Sequence, residues 1–101
     1  FNKSASEIER LIRGLNPWPS AYTSLDGKTL KIWKAEVLEE NSSGRPGEII
    51  HLTREQIIVN TKSGVLSILE LQLEGKKRMK TDEFLRGYKI EKGTVLGLER
   101  R

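Results

Sequence analysis

The helical pattern of this chain gives way to a pattern of strands within Leu15-Asn16-Pro17-Trp18-Pro19-Ser20-Ala21. Pro17 biases Asn16 away from helical backbone angles, and Pro19 removes another backbone donor two residues later. Between the two prolines Trp18 has few conformations, so it is expected to pin the turn to the elements beneath it. Residues 16–20 are therefore predicted to form a rigid structural elbow.

Residues 4–15, before the elbow, have the pattern of an amphipathic helix. Ser4 and Glu7 have the spacing of a capping box, in which each side chain satisfies an unpaired backbone amide of the first turn. Apolar residues then recur at helical spacing, at Ile8, Leu11, Ile12 and Leu15. Because only one stripe is apolar, the helix is expected to pack on the rest of the chain.

Residues 21–98, after the elbow, are predicted to form a small barrel of short strands. Asp26-Gly27 predicts a tight hairpin between residues 21–25 and 28–38, and a change of apolar parity near Trp33 predicts a bulge. Further strands are expected at 48–52, 56–61 and 65–73, with a polar loop at 41–47 and a final extended segment over 88–98. Between them a short helix is predicted over residues 81–86, capped by Thr81 and ended by Gly87.

These elements predict a mainly β fold class. The expected architecture is a small, bent β-barrel of the oligonucleotide-binding (OB) type, with an N-terminal helix and one short helix near the C-terminus. The strand pattern also fits an SH3-like barrel. Residues 1–101 are expected to form a single domain, since a second would leave neither with a workable core.

Composition limits the classes of function open to the chain. It has no cysteine, so disulfides and thiolate metal sites are excluded, and no apolar run approaches the length of a membrane span. We expect a soluble, cytoplasmic protein with no membrane partner. Because the sequence begins with Phe1 rather than methionine, we expect it to be a segment of a longer protein.

No constellation of residues predicts catalysis or a metal site. His51 is the single histidine, and no nucleophile or carboxylate lies at a suggestive spacing from it. The adjacent acids Asp82 and Glu83 are expected to favour the dipole of the short helix instead. We therefore predict no catalytic residue, no metal and no cofactor of its own for this chain.

Positive charge is concentrated in the second half of the sequence. The net charge is +4, and residues 51–101 hold eleven basic and seven acidic side chains, whereas residues 1–50 hold seven of each. Four cations crowd into residues 76–80, the basic segment, which is predicted to be a loop whose side chains fan outward. A solvated basic loop would also explain this cluster, but together with a barrel it favours a polyanionic partner.

The candidate phosphate-binding residues are Lys76, Lys77, Arg78 and Lys80, followed by Lys31, Lys34 and Arg86. Tyr22 and Trp33 are aromatic residues that unpaired bases would stack on. A chain with so few aromatics is expected to need most of them in its core, so we predict that phosphate contacts dominate binding.

Several of these motifs together resemble the C-terminal domain of the methionyl-tRNA formyltransferases. The elbow carries the resemblance, with Ile12-Arg13-Gly14 before it and Leu30-Lys31-Ile32-Trp33-Lys34-Ala35 after it. A second block runs through Glu70-Leu71-Gln72-Leu73-Glu74-Gly75-Lys76-Lys77-Arg78-Met79 and continues in Asp82-Glu83-Phe84-Leu85-Arg86-Gly87. Ser20 stands where the family usually has glycine, which is a small change.

The resemblance implies a division of labour. Family enzymes transfer a formyl group from 10-formyltetrahydrofolate to methionine on initiator tRNA, and their catalytic residues belong to an N-terminal domain whose motifs do not occur here. By resemblance, this chain is a monomeric barrel that holds tRNA through the basic residues named above. Asn16, Pro17, Trp18 and Pro19 would orient the barrel against the N-terminal catalytic domain of the same polypeptide.

Three other functions fit the residues. The chain could be the equivalent structural domain of another formyltetrahydrofolate-using enzyme, although the basic segment argues against this. It could be a free-standing module that binds a protein through the apolar stripe of residues 4–15. It could also be a general single-strand-binding barrel that prefers unfolded RNA.

Overall fold

The computed structural model describes residues 3–15, 21–39 and 45–97. The elements are α1 (Ala5–Leu15), β1 (Ala21–Leu25), β2 (Lys28–Glu39), β3 (Ile49–Leu52), β4 (Ile57–Asn60), β5 (Val65–Leu73), β6 (Met79–Lys80) and α2 (Thr81–Gly87). The mainly β fold class and its two helices are confirmed. The predicted elbow with Asn16, Pro17, Trp18 and Pro19, residues 40–44 and residue 98 lie outside the described residues.

The strands form an antiparallel sheet in the order β1-β2-β5-β4-β3. The central strand β5 pairs with β2 along its length, and its other edge is shared by β4 and then β6. Residues 65–68 of β5 are all buried, as expected for a strand with apolar residues at both parities. The sheet is not closed, because its terminal strands β1 and β3 do not pair with each other.

Residues 93–97, the bridging segment, cross the space between β3 and β1. The amide of Ile49 donates to the carbonyl of Thr94, and the amide of Leu96 donates to the carbonyl of Gly47. At the other side the amide of Gly97 donates to the carbonyl of Ser24 in β1, at 2.9 Å. The final segment predicted over 88–98 is therefore mostly turns, with one β-bridge between Glu48 and Val95, rather than a strand.

The first hairpin follows from local sequence. Asp26 and Gly27 both have positive φ, at 52° and 79°, as a tight hairpin turn requires. The predicted bulge is confirmed, since the register of β2 against β5 shifts between Ile32 and Lys34 and again after Lys34. The bulge places Trp33 and Lys34 toward the outside of the sheet, whereas Ile32 and Ala35 are buried.

The hairpin turn is also tied to the C-terminal part of the chain. The Tyr88 hydroxyl donates a hydrogen bond to Asp26 Oδ2 at 2.7 Å. This bond, with partial burial, raises the pKa of Tyr88 above its ordinary value. The neutral phenol therefore helps to hold the turn of β1 and β2 against the segment that follows α2.

The first turn of α1 has the predicted capping box. The amide of Glu7 donates to Ser4 Oγ at 3.2 Å, and the Ser4 hydroxyl donates to Glu7 Oε1 at 3.0 Å. Together with the Ser4 amide, that hydroxyl lowers the pKa of Glu7 below its ordinary value. Ile12 is buried and the helix packs mainly on β2, but Leu11 is 41% exposed, so the stripe is narrower than predicted.

Replacing Ser4 with alanine is expected to lower the free energy of unfolding by about 1 kcal/mol at neutral pH. Because the pKa of Glu7 is lowered in the folded chain, the carboxylate contributes stability above 4.5 that is lost as the pH falls through the folded value. The difference between wild type and Ser4→Ala should therefore narrow in acid, as measured by urea unfolding. Ser4→Thr, which keeps a hydroxyl, should remain near wild type; a Ser4→Ala variant with unchanged stability would contradict the capping role.

The short helix α2 lies against the sheet in a way that the sequence did not predict. Thr81 is its first residue rather than its cap, and its hydroxyl donates to the carbonyl of Ile68 in β5. Lys80 occupies the cap position without a side-chain hydrogen bond, and Gly87 is the last helical residue with an ordinary φ. Phe84 is buried as predicted and stacks on Tyr88, with ring centroids 5.0 Å apart.

Candidate nucleic-acid interface

Two rows of side chains cross the outer face of the sheet. In the first row Tyr22 of β1 pairs with Lys31 of β2, which pairs with Gln72 of β5. In the second, Lys34 of β2 pairs with Glu70 of β5, which pairs with Lys80 of β6. Paired residues of antiparallel strands share a face, and positions 70 and 72 of one strand do as well. The register therefore brings Lys31, Lys34 and Lys80 to one surface.

Trp33 and Gln72 hold the centre of this surface. The indole Nε1 of Trp33 donates to Gln72 Oε1 at 3.1 Å. The Gln72 amide nitrogen in turn donates to the carbonyl of Lys76 at 3.0 Å, and the amide of Lys76 donates to the carbonyl of Leu73. The start of the basic segment is thus fixed to the sheet by its backbone, which leaves the Lys76 side chain exposed.

Arg78 lies flat on this centre. Its guanidinium carbon is 4.4 Å from the centroid of the Trp33 ring, within the range of a cation–π contact. Nε and a terminal nitrogen of the guanidinium contact Glu70 Oε1, at 3.1 and 3.0 Å. Arg78 is therefore ordered by Trp33 and Glu70, and part of its charge is compensated before any ligand binds.

The basic segment differs from the outward-fanning loop that its composition predicts. Its last two residues, Met79 and Lys80, form β6 and pair with Leu71 and Glu70 of β5. Because Arg78 contacts Glu70, the segment returns along the sheet rather than extending into solvent. Two strand residues are too short a stretch to show a period, which explains why this strand was missed.

The remaining candidates differ in how freely their charges are presented. The Lys77 side chain is 78% exposed, and its ammonium lies 3.7 Å from Glu83 Oε2 at the start of α2. Lys31, Lys34, Lys76 and Lys80 are exposed and have no salt bridge to another described residue. Arg86 is exposed on α2, but no contact between described residues connects its side chain to the surface around Trp33.

Tyr22 is a functional candidate that the sequence analysis assigned to the core. It is 72% exposed on β1. Leu25 is buried three positions later in the same strand, so alternation places Tyr22 on the opposite, outer face. The spacing between these two residues is the signal that could have predicted its exposure.

Two further features concern other kinds of site. Among the described residues no group of three or more histidine, aspartate or glutamate side chains is placed to hold a metal ion. His51 is exposed on β3. In the part of the chain that the structure describes, no helix is long and apolar enough to cross a membrane.

Comparison with known proteins decides the family. The profile of the family described as "Formyl transferase, C-terminal domain" matches residues 1–89. The chain belongs to this family. The resemblance deduced from the elbow and from the blocks around Trp33 and Arg78 is thereby confirmed at the level of the formyl transferase C-terminal domain.

Curated relatives of this formyl transferase C-terminal domain are longer proteins. It is 53% identical over 98 residues to a methionyl-tRNA formyltransferase of Agathobacter rectalis, which covers 97% of this chain and 32% of the relative. It is 52% identical over 97 residues to the methionyl-tRNA formyltransferase of Geobacter sulfurreducens, covering 96% of the chain and 30% of the relative. The chain thus spans about a third of the length of the relatives it matches.

Proposed function

We propose that this chain is the tRNA-binding C-terminal domain of a methionyl-tRNA formyltransferase. It binds the phosphate backbone of initiator Met-tRNA and helps to present the methionylated end for formyl transfer from 10-formyltetrahydrofolate. Binding is electrostatic and only weakly specific for sequence, because phosphates carry no sequence information. The observation that carries the proposal is the convergence of Lys31, Lys34 and Lys80 on one outer face of the sheet.

The surface around Trp33 supplies what a phosphate-binding surface needs. The basic segment is fixed through Gln72 and Arg78, so its lysines need little ordering when a ligand binds. Arg86 is an outlying member at the edge of the surface. No catalytic role is assigned to any of these residues, since they are cations that position a polyanion.

The rest of the proposal concerns the protein around this chain. The relatives that it matches are about three times as long, which supports a catalytic domain elsewhere in the same polypeptide. We propose that residues 1–101 are a single domain of a monomeric, cytoplasmic enzyme. The folate co-substrate and the catalytic groups belong to the catalytic domain, and the elbow with Asn16, Pro17, Trp18 and Pro19 orients the two.

Two observations weigh against the other functions considered. Every relative reported above is named a methionyl-tRNA formyltransferase, which favours the tRNA enzyme over other formyltetrahydrofolate-using enzymes. A protein-binding module would need a free stripe on α1, but Ile12 is buried and Ile8 packs on the core. The tRNA-binding function therefore fits best.

Titrating the 101-residue chain with folded tRNA at low and physiological salt tests the proposal. If about four cations engage phosphates, the plot of log affinity against log salt should have a slope on the order of −3. Between 50 and 200 mM salt the affinity should then fall roughly 60-fold. Initiator and elongator tRNAs should bind within a few-fold of each other. No binding, or a slope near zero, would refute phosphate binding by this domain.

A further inference from the structure

Tyr22 presents an aromatic ring to solvent within the cationic surface. It lies on the edge strand β1, and its hydroxyl has no hydrogen-bond partner among the described residues. Of the large apolar or aromatic side chains that are exposed in the described part, it is the most exposed, above Leu11 and Leu38. Nothing in the packing of the described chain explains this exposure.

The neighbours of Tyr22 suit a nucleotide. Its cross-strand partner Lys31 is exposed, and the Cβ atoms of such partners lie roughly 5 Å apart. Lys28 lies at the other end of the same hairpin and is also exposed. An unpaired base on the ring would thus keep its own phosphate within reach of a lysine.

Trp33, the other aromatic residue on this face, is not available in the same way. The Arg78 guanidinium lies over its ring, and its indole nitrogen is bonded to Gln72. The two aromatics therefore have different tasks: Trp33 orders a cation, and Tyr22 offers a ring to a ligand.

We infer that Tyr22 is a stacking site for an unpaired base of the bound RNA. The inference rests on the proposed function, which supplies the RNA, and adds a contact that phosphate binding does not require. Stacking on an aromatic ring tolerates any base, so it adds affinity without sequence specificity. It gives the domain a preference for folded tRNA, which has unpaired bases, over a continuous RNA duplex.

Three variants of Tyr22 in the 101-residue chain separate stacking from charge. Tyr22→Leu and Tyr22→Ala should weaken binding to folded tRNA by roughly 5- to 150-fold, the usual range for losing one stacked base. Tyr22→Phe should stay within about twofold of wild type, because it keeps the ring. The salt slope should be the same in all variants, since stacking releases no counterions.

A blunt, fully paired RNA duplex is the matched ligand, because it offers phosphates but no unpaired base. Wild type and Tyr22→Leu should bind it equally, and thermal unfolding should confirm that the exposed substitution leaves the fold intact. Equal binding of folded tRNA by wild type and Tyr22→Leu, with a steep salt slope, would overturn the inference alone. Equal losses on tRNA and duplex would also overturn it. Absence of wild-type binding would instead refute the proposed function on which it rests.

Discussion

Replacing the four cations of the basic segment with glutamine is expected to weaken tRNA binding by about 10²–10³-fold at about 0.1 M salt. The variant changes Lys76, Lys77, Arg78 and Lys80 together. Each phosphate contact contributes about 0.9 to the salt slope, so three to four lost contacts should bring the slope close to zero. Glu70 already compensates part of the Arg78 charge, which places the loss below that of four independent cations.

A charge-matched control distinguishes a local site from the net charge of the chain. The control variant replaces four exposed cations outside the candidate set, Arg54, Lys62, Lys89 and Lys92. It lowers the net charge by the same amount, and its tRNA affinity should remain much closer to that of wild type. Comparable losses in the two variants would mean that the surface around Trp33 has no special role.

Glu70→Gln provides a change in the opposite direction at the same place. It removes the carboxylate that binds Arg78 but keeps a side chain of similar size. The released guanidinium should raise tRNA affinity a few-fold and steepen the salt slope by about 1. A loss of affinity would indicate that the order imposed on Arg78 matters more than its free charge.

Replacing Phe84 with alanine is expected to destabilise the fold by about 3–5 kcal/mol, the largest stability effect predicted here. Phe84 is 2% exposed and contributes to the main core, while its ring stacks on Tyr88. Since a domain of this size has a free energy of unfolding of about 5–15 kcal/mol, this is a substantial fraction. Equilibrium unfolding in urea measures the loss.

Phe84→Leu is the matched control for that measurement. It keeps most of the apolar volume, so it should cost less than about 1.5 kcal/mol. The exposed Tyr22→Leu, which also removes an aromatic ring, should leave the free energy of unfolding nearly unchanged. A Phe84→Ala variant within 1 kcal/mol of wild type, as an order-of-magnitude bound on core truncations, would contradict the role of α2 in closing the core.

The parts of the fold that could be predicted are those encoded by neighbouring residues. The capping box of Ser4 and Glu7 and the Asp26-Gly27 turn were both predicted correctly. Each depends on chemistry within a few positions, and the bulge near Trp33 follows from a parity change that is equally local.

The missed features depend on contacts between distant positions. Thr81 has the residue type of a helix cap, but its hydroxyl is bound to the carbonyl of Ile68, thirteen positions earlier. Arg78 reaches Trp33 only because the bulge turns the ring outward and β6 leads the chain back along β5. Composition indicated a cationic cluster correctly, but it could not predict that one member would be held by a carboxylate and a ring.

The bridging segment has a consequence for how the chain folds during synthesis. The free edge of β1 receives its hydrogen bond from Gly97, which lies 73 positions after Ser24. At a translation rate of about 5–20 residues per second, roughly 4–15 s separate the synthesis of these two residues. During that interval the first hairpin has an unpaired edge, which is the kind of surface on which nascent chains associate wrongly. The order of synthesis thus makes β1 the strand of this domain that most needs protection while translation is under way.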